Sequence, residues 1–243
     1  MEGLKYMKSK WFSALLVVAC VVLLSGIGFA SACAPGTWAD YLALNPNSCT
    51  IDDKTFSNFS YSYTPHDFGV PPASLSVTPI TTHLDPGFQW TAGWNVSNGS
   101  GVPTQDSFID YTVTVNPGGA KIIDVSLSMG GASFFGTGGA RVDETVCVGA
   151  MFPSCLGGTT YQLSVYDNGQ QGFKFFDSVN FSAATEIDVE KDIELTSGTN
   201  GGASLSMVSN QFSEQQVPEP GSILLFGSGA LAVAGVLRRK LTR

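Results

Sequence analysis

The sequence predicts an all-β protein built around a single β-sandwich domain, jelly-roll-like, of about ten strands at residues 33–216. Three observations lead to this class. Short segments alternate polar and apolar residues with a period of two, and Gly, Pro, Asn and Asp separate them. No apolar pattern of helical period extends over a useful length. Two sheets that are each apolar on one face must cover each other, which favours a sandwich.

The first 32 residues have the layout of a secretory signal peptide. Lysines precede an apolar run over 11–24, and Ala30 and Ala32 supply the small residues that signal peptidase requires before its cleavage site. A permanent membrane helix is the alternative. Cleavage would leave Cys33 as the first mature residue, but Ala30 stands where a lipoprotein signal generally has leucine, so we do not expect lipidation.

The strands follow from the alternation in chain order. Ile109, Tyr111 and Val113 share one face of a segment whose other face is polar. The predicted strands are 55–63, 74–80, 87–96, 108–116, 122–129, 141–148, 160–166, 173–181, 184–195 and 203–212. A short helix is expected at 40–44.

Two tryptophans are expected in the core. Trp90 and Trp94 are four residues apart on the same apolar face of one predicted strand, which predicts burial rather than a sugar-stacking platform. Tyr166 and Phe176 fall on the polar faces of their strands. Those two are the better candidates for a binding surface.

Five carboxylates alternate along residues 186–194, opposite Ile187, Val189, Lys191 and Ile193. Neighbours on one strand face are about 6.8 Å apart, near enough to repel one another and to share a calcium ion with a facing loop. The interpretation that we favour is a charged outer or edge strand that discourages aggregation.

The four cysteines that follow the signal peptide predict two disulfides in an oxidising compartment. Proximity favours Cys33 with Cys49 and Cys147 with Cys155, although three pairings are formally open. Metal binding would need histidine partners, and the chain has only two, His66 and His83, far apart in sequence. We therefore expect neither a metal site nor a cofactor.

The charge of the chain argues against nucleic-acid binding, and its lack of catalytic motifs argues against an enzyme. Of the 12 Lys and Arg, seven lie in the two ends, so the central region is more acidic than the whole chain's formal charge of −8. Such a surface repels nucleic acid. No Gly-x-Ser-x-Gly or His-Glu-x-x-His motif is present. A carboxylate pair remains open to a secreted hydrolase, but the sequence predicts a protein that is not an enzyme.

The last 27 residues, 217–243, form a second targeting segment. Pro218, Glu219 and Pro220 precede a predicted transmembrane helix at 221–237, and Arg238, Arg239 and Lys240 follow it. The 15 residues 223–237 give roughly 22 Å of helix, so the basic side chains must snorkel to span the ~30 Å hydrocarbon layer. The basic tail prefers the cytoplasmic side, which leaves the central domain outside.

These three features in this order resemble the PEP-CTERM sorting signal of Gram-negative bacteria. The resemblance implies export, a transient inner-membrane anchor, processing by exosortase after signal peptidase, and a final position at the cell surface or outside the cell. It also implies an association with exopolysaccharide and biofilm. We expect a non-enzymatic structural role there, with an exopolysaccharide-binding module as the alternative.

Overall fold

The computed structural model describes residues 30–64, 68–82, 84–99, 101–168 and 172–215. The chain divides into two compact units, residues 1–31 and 32–243. The predicted transmembrane helix at 221–237, most of the signal peptide, His66 and His83 lie outside the described residues. Within the described ranges, no helix combines the length and the apolar character needed to span a membrane.

The described ranges contain fifteen strands, one α-helix and one short 3₁₀ turn. The strands are β1 Ser31–Ala32, β2 Gly36–Thr37, β3 Cys49–Ile51, β4 Lys54–Ser62, β5 Ser76–Ile80, β6 Gly87–Ser97, β7 Thr104–Val115, β8 Ile122–Gly130, β9 Ser133–Phe135, β10 Gly139–Val148, β11 Thr159–Asn168, β12 Gly172–Lys174, β13 Phe176–Ala184, β14 Glu186–Thr196 and β15 Gly202–Gln211. The helix α1 spans Trp38–Leu44, and the 3₁₀ turn spans Pro72–Ser74.

The strands form two sheets that face each other. The front sheet has eight strands in the order β1-β3-β4-β7-β14-β10-β11-β12, and the back sheet runs β13-β8-β15-β6-β5-β2, with β9 paired to β15. The prediction of an all-β sandwich is confirmed. Its strand number was too low because β1, β2, β3, β9 and β12, each of two or three residues, are too short to show alternation.

Two details of the strand prediction were wrong. The predicted strand 173–181 is two strands, because the chain leaves the front sheet after β12 and enters the back sheet as β13. The acidic strand β14 is not an edge strand, since β7 pairs with it on one side and β10 on the other. Its carboxylates nevertheless lie on the outer face, where water reaches most of them.

The core is dominated by aromatic rings between the sheets. Trp90 and Trp94 are fully buried, as their spacing predicts. Trp38 stacks on Tyr41 at a centroid distance of 5.7 Å, and Trp90 contacts Tyr111 at 5.8 Å. Helix α1 therefore closes one side of the sandwich by adding its own aromatic face to the core.

The start of α1 shows why the helix forms there. Thr37 accepts a hydrogen bond from the Asp40 amide, and the Asp40 carboxylate accepts one from the Thr37 amide at 2.7 Å. This capping box satisfies amides that lack partners in the first turn of any helix. The same contacts hold the pKa of Asp40 below its usual value.

The ends of the strands define two ends of the sandwich. At one end Val115 pairs with Lys54, whose ammonium group contacts Glu214, and the Gln215 amide donates to the Lys121 carbonyl at 2.8 Å. We call this the tail end, because the described chain stops there just before the C-terminal targeting segment. The opposite end, where Thr196 pairs with both Thr104 and Gly139, is the cleft end.

Candidate functional site

A cavity of about 280 Å³ opens at the cleft end. It lies where β10 begins and where β11 and β14 end, on the outer face of the front sheet. Its lining residues are Thr137, Gly139, Ala140, Arg141, Asn168, Glu194 and Thr196. Amide, hydroxyl, guanidinium and carboxylate groups therefore converge on one small space, which is the chemistry of a site for a polar, hydroxyl-rich ligand.

The strand register explains how these groups meet. Arg141 stands opposite Glu194 on β14 and opposite Tyr166 on β11. Its guanidinium group pairs with Asp143 at 2.7 Å, which orients it along the outer face. Gly139 is needed beside them, since a Cβ atom there would lie 2.4 Å from the Cβ of Asn168.

Five phenylalanines at the cleft end are exposed to solvent, and we call them the phenylalanine surface: Phe134, Phe135, Phe173, Phe175 and Phe176. The exposed fractions are 62% for Phe135, 71% for Phe173 and 59% for Phe176. Soluble proteins rarely leave several large apolar rings together in water unless the surface binds something.

Chain connections bring the strands of the phenylalanine surface to the same end of the sandwich as the cavity, although Phe173 lies on the sheet face of the buried Ala140 and not on that of Arg141. β9 carries Phe134 and Phe135 and leads directly to Thr137 of the cavity wall. β12, with Phe173, is the strand paired to the end of β11 at Asn168. On the other side, the Phe175 carbonyl accepts a hydrogen bond from the Met129 amide at 3.1 Å, shortly before β9 begins.

Part of the phenylalanine surface is already arranged as a flat platform. Phe173 and Phe175 stack on each other with centroids 5.3 Å apart and ring planes only 19° from parallel. Exposed rings fixed by a neighbour lose little rotational freedom when a ligand binds. A ligand with an apolar face can therefore bind them at low entropic cost.

The two aromatic residues singled out from the sequence behave differently. Phe176 is exposed, as predicted, and belongs to the phenylalanine surface. Tyr166 is half-buried beside Arg141. The other four phenylalanines were missed, although consecutive rings at 134–135 and 175–176 cannot all point inwards from an alternating strand.

The acidic face of β14 holds a close carboxyl pair beside the cavity. One carboxylate oxygen of Asp106 and one of Asp192 are buried without a conventional hydrogen-bond donor. Burial, with the neighbouring Asp106 carboxylate as the next cause, raises the pKa of Asp192 to about 7. The Asp192 carboxyl group therefore keeps its proton up to near neutral pH. In the described ranges, no group of three or more Asp, Glu, His or Cys is placed to hold a metal ion.

Another carboxylate of this face has a structural role. Asp188 accepts hydrogen bonds from the Thr112 hydroxyl at 2.7 Å and from the Phe152 amide at 2.8 Å. The second contact fixes the loop that follows β10 onto the sheet. The disulfide between Cys147 and Cys155 closes the same loop, with sulfurs 1.97 Å apart.

The other disulfide lies near the N-terminal end of the described chain. Cys33 and Cys49 are joined with an S–S distance of 2.06 Å. The Cys33 amide also donates to the Thr50 carbonyl at 2.9 Å. Both bridges are the pairs that proximity in sequence favours. Ala32 is the last residue of β1, one position before this bridge.

The comparisons identify the C-terminal segment. Residues 216–240 match the family model of the PEP-CTERM protein-sorting motif, so the chain is a β-rich protein that carries a PEP-CTERM sorting signal. The matched range includes Pro218, Glu219, Pro220, Arg238, Arg239 and Lys240, all outside the described residues. A comparison with curated protein sequences finds no match.

Three solved structures illustrate what the β-rich part is similar to. TmCBM61 in complex with β-1,4-galactotriose is 12% identical over 65% of this chain and 90% of its own, with a TM-score of 0.32. The family 32 module of C. perfringens NanJ with galactose is 18% identical over 63% and 93%, at 0.22. The xylan-binding module CBM86 of Roseburia intestinalis is 12% identical over 65% and 96%, at 0.20. At these TM-scores the similarities carry no argument about a ligand.

Proposed function

We propose that this protein is exported, sorted by exosortase and retained outside the cell by binding exopolysaccharide through its cleft end. Signal peptidase cuts after Ala32, the helix at 221–237 holds the chain in the inner membrane of a Gram-negative bacterium, and exosortase processes it at Pro218-Glu219-Pro220. The match of residues 216–240 to the PEP-CTERM motif supports this route. The central sandwich, which we take to be jelly-roll-like, then acts at the cell surface.

The observation that carries the binding proposal is the phenylalanine surface at the same end of the sandwich as a polar cavity. A sugar ring has apolar C–H faces and a rim of hydroxyl groups. The stacked rings of Phe173 and Phe175 suit the faces, and the side chains of Arg141, Asn168 and Glu194 suit the hydroxyls. No part of this arrangement needs a reaction, which favours a binding module over an enzyme.

The position of the phenylalanine surface suits a protein that is anchored in the membrane before it is processed. Gln215 ends the described chain at the tail end, while the phenylalanine surface lies at the cleft end. A chain held by its C-terminal helix therefore directs its exposed rings away from the tether. Binding to a polymer outside the cell does not have to wait for processing.

The acidic character of the front sheet favours an uncharged polymer as the ligand. Glu194 lines the cavity, and Asp192 and Asp106 lie next to it on the same face. A polyuronate or sulfated chain would meet this field as a like charge. A neutral exopolysaccharide meets no such repulsion.

The Asp106 and Asp192 pair raises the question of a hydrolase, the third alternative. Asp106 is buried, and its second oxygen already accepts a hydrogen bond from the Thr64 hydroxyl. Neither carboxyl group is among the residues that line the cavity. The pair therefore supports a hydrolase less well than the exposed rings support binding.

Equilibrium binding of the purified full chain to neutral and acidic polysaccharides tests the proposal. We expect binding to a neutral polymer and a loss of roughly tenfold or more in the variant Phe173→Ala/Phe175→Ala, since each lost stacking ring removes about 1 kcal/mol. Phe68→Ala is the matched control, because Phe68 is 55% exposed but follows β4, which three other strands separate from β11 and β12 in the front sheet. Absence of binding to every polymer would instead favour the purely structural role.

A further inference from the structure

Three polar side chains are buried together between the two sheets. Lys191 comes from β14 and Glu144 from β10, both in the front sheet, and Asn210 comes from β15 in the back sheet. Their exposed fractions are 0%, 1% and 0%. A lysine and a glutamate cost several kcal/mol each to remove from water, so a buried group of this kind needs a reason beyond packing.

Contacts within the group bring an amine against an amide carbonyl. The Lys191 Nζ atom is 3.3 Å from the Asn210 Oδ1 atom, and it also contacts Oε2 of Glu144. The amide nitrogen of Asn210 donates to Oε1 of the same Glu144 at 3.1 Å and to the Ser126 carbonyl at 2.9 Å. Glu144 therefore touches both the nitrogen that could attack and the nitrogen that could leave.

A fourth residue completes the arrangement. The hydroxyl of Tyr111, itself fully buried, donates a hydrogen bond to Asn210 Oδ1. This bond withdraws electron density from the carbonyl and would stabilise negative charge on that oxygen as a nucleophile adds. The Trp90 ring lies 5.3 Å from the lysine nitrogen and helps to exclude water.

We propose that Lys191 and Asn210 join spontaneously in an intramolecular isopeptide bond. Glu144 takes a proton from the lysine ammonium, and the free amine adds to Cγ of Asn210, whose oxygen takes the negative charge under the Tyr111 hydroxyl. Glu144 then passes a proton from the attacking nitrogen to the amide nitrogen. The Cγ–Nδ2 bond breaks, ammonia leaves, and the new Cγ–Nζ amide remains. Neither an oxidant nor a cofactor is needed.

The environment favours each requirement of this reaction. Burial lowers the pKa of Lys191 well below its usual value, which favours the neutral amine that the attack requires. The reacting groups are held in place by strands of a packed core, so little entropy is lost in bringing them together. The bond would link the two sheets covalently, which suits a protein exposed outside the cell.

The second buried lysine serves as an internal comparison. Lys54 contacts the Asp53 and Glu214 carboxylates and donates to the Ala120 carbonyl at 2.8 Å. None of these three partners has a side-chain amide from which ammonia could leave. Lys54 should therefore remain an unmodified lysine, even though its side chain is as deeply buried as that of Lys191.

Mass spectrometry of the purified full chain tests the proposal. After reduction of the disulfides, we expect an intact mass lower than the sequence mass by one molecule of ammonia, allowing for any terminal processing. Proteolysis should yield a branched peptide that joins Lys191 to Asn210 and an unmodified peptide containing Lys54. An intact mass without the loss would overturn the proposal, as would a loss of ammonia without the branched peptide, which cyclisation of another asparagine would give.

Variants assign the roles. Glu144→Gln keeps the size of the side chain but replaces one of its two acceptor oxygens with an amide donor and cannot accept the proton, so the folded variant should keep its full mass. Tyr111→Phe should complete the reaction more slowly than the wild type. A branched peptide formed at the wild-type rate in both variants would overturn the mechanism. If Glu144→Gln does not fold, as circular dichroism would show, the time course of Tyr111→Phe decides alone.

Discussion

Nζ of Lys54 lies 2.7 Å from Oε1 of Glu214 and ties the last described segment to the first long strand of the front sheet. Both side chains are almost completely buried, with exposed fractions of 0% and 2%. The contact fixes the point at which the chain leaves the sandwich towards the PEP-CTERM motif. It also makes the tail end depend on a charge pair that water does not screen.

Removal of the lysine should be costly. Lys54→Met leaves Glu214 buried without its cation, and we expect the free energy of unfolding to fall by about 3–5 kcal/mol. Urea denaturation of the purified chain measures this change. The double variant Lys54→Met/Glu214→Leu should recover much of the loss, because the one carboxylate that it leaves unpaired, Asp53, is 26% exposed and can be solvated by water. A single variant within about 0.5 kcal/mol of the wild type would show that the pair is dispensable.

The raised pKa of Asp192 should make the free energy of unfolding depend on pH. The pKa of Asp192 is about 7 in the folded chain and about 3.9 when unfolded, so the folded state binds more protons between these values. The stabilising contribution is complete below about pH 4 and is lost as pH rises through about 7. The variant Asp192→Asn should not show this loss of stability as the pH rises.

Thermal denaturation between pH 5 and pH 8 is the measurement for this prediction. The difference in melting temperature across the range should be smaller in Asp192→Asn than in the wild type. Glu186→Gln, at the tail end of the same strand face, is the control and should leave the difference unchanged. An identical pH profile in all three proteins would show that Asp192 ionises normally.

The capping box of α1 gives a prediction about local stability. Thr37→Ala removes the acceptor for the Asp40 amide and should lower the free energy of unfolding by about 1 kcal/mol. Thr37→Ser retains the hydroxyl and should change it by only a few tenths. Chemical denaturation measures both changes. Equal losses in the two variants would mean that the methyl group of Thr37, rather than its hydrogen bond, stabilises the fold.

The Cys33–Cys49 bridge should stabilise the chain by restricting its unfolded state. The bridge spans 16 residues, for which the chain-entropy estimate is about 3 kcal/mol. The double variant Cys33→Ser/Cys49→Ser should lose about that amount at equilibrium. The wild type should lose the same amount of stability when its Cys33–Cys49 bridge is reduced and its Cys147–Cys155 bridge stays intact. An unchanged denaturation midpoint would contradict this assignment.

The sequence predicted burial best where the position of a residue along its strand determines which face it occupies. The period of two placed Trp90 and Trp94 in the core and the β14 carboxylates on an outer face, because side chains alternate strictly along a strand. It could not show that β14 is central. Strand order depends on pairings between segments far apart in the chain, such as β14 with β7.

The same limit applies to both candidate sites. The sequence placed Lys191 on an apolar face without a partner, and its partner Glu144 is 47 residues away. The residues of the phenylalanine surface come from β9, β12, β13 and the connection between the last two. These segments reach the same end of the sandwich only because the chain crosses between the sheets after Lys174. Neither arrangement leaves a local motif. Only the unusual pairs of adjacent phenylalanines hinted that some of these rings lie outside the core.

The most direct test of the account follows the protein in cells that secrete exopolysaccharide. The fraction of mature protein held in the extracellular matrix is compared with the fraction in the medium, for the wild type, Phe173→Ala/Phe175→Ala and Phe68→Ala. We expect all three to lose their C-terminal segment, the wild type and Phe68→Ala to stay in the matrix, and the double variant to be released into the medium. Equal retention of all three proteins would contradict it.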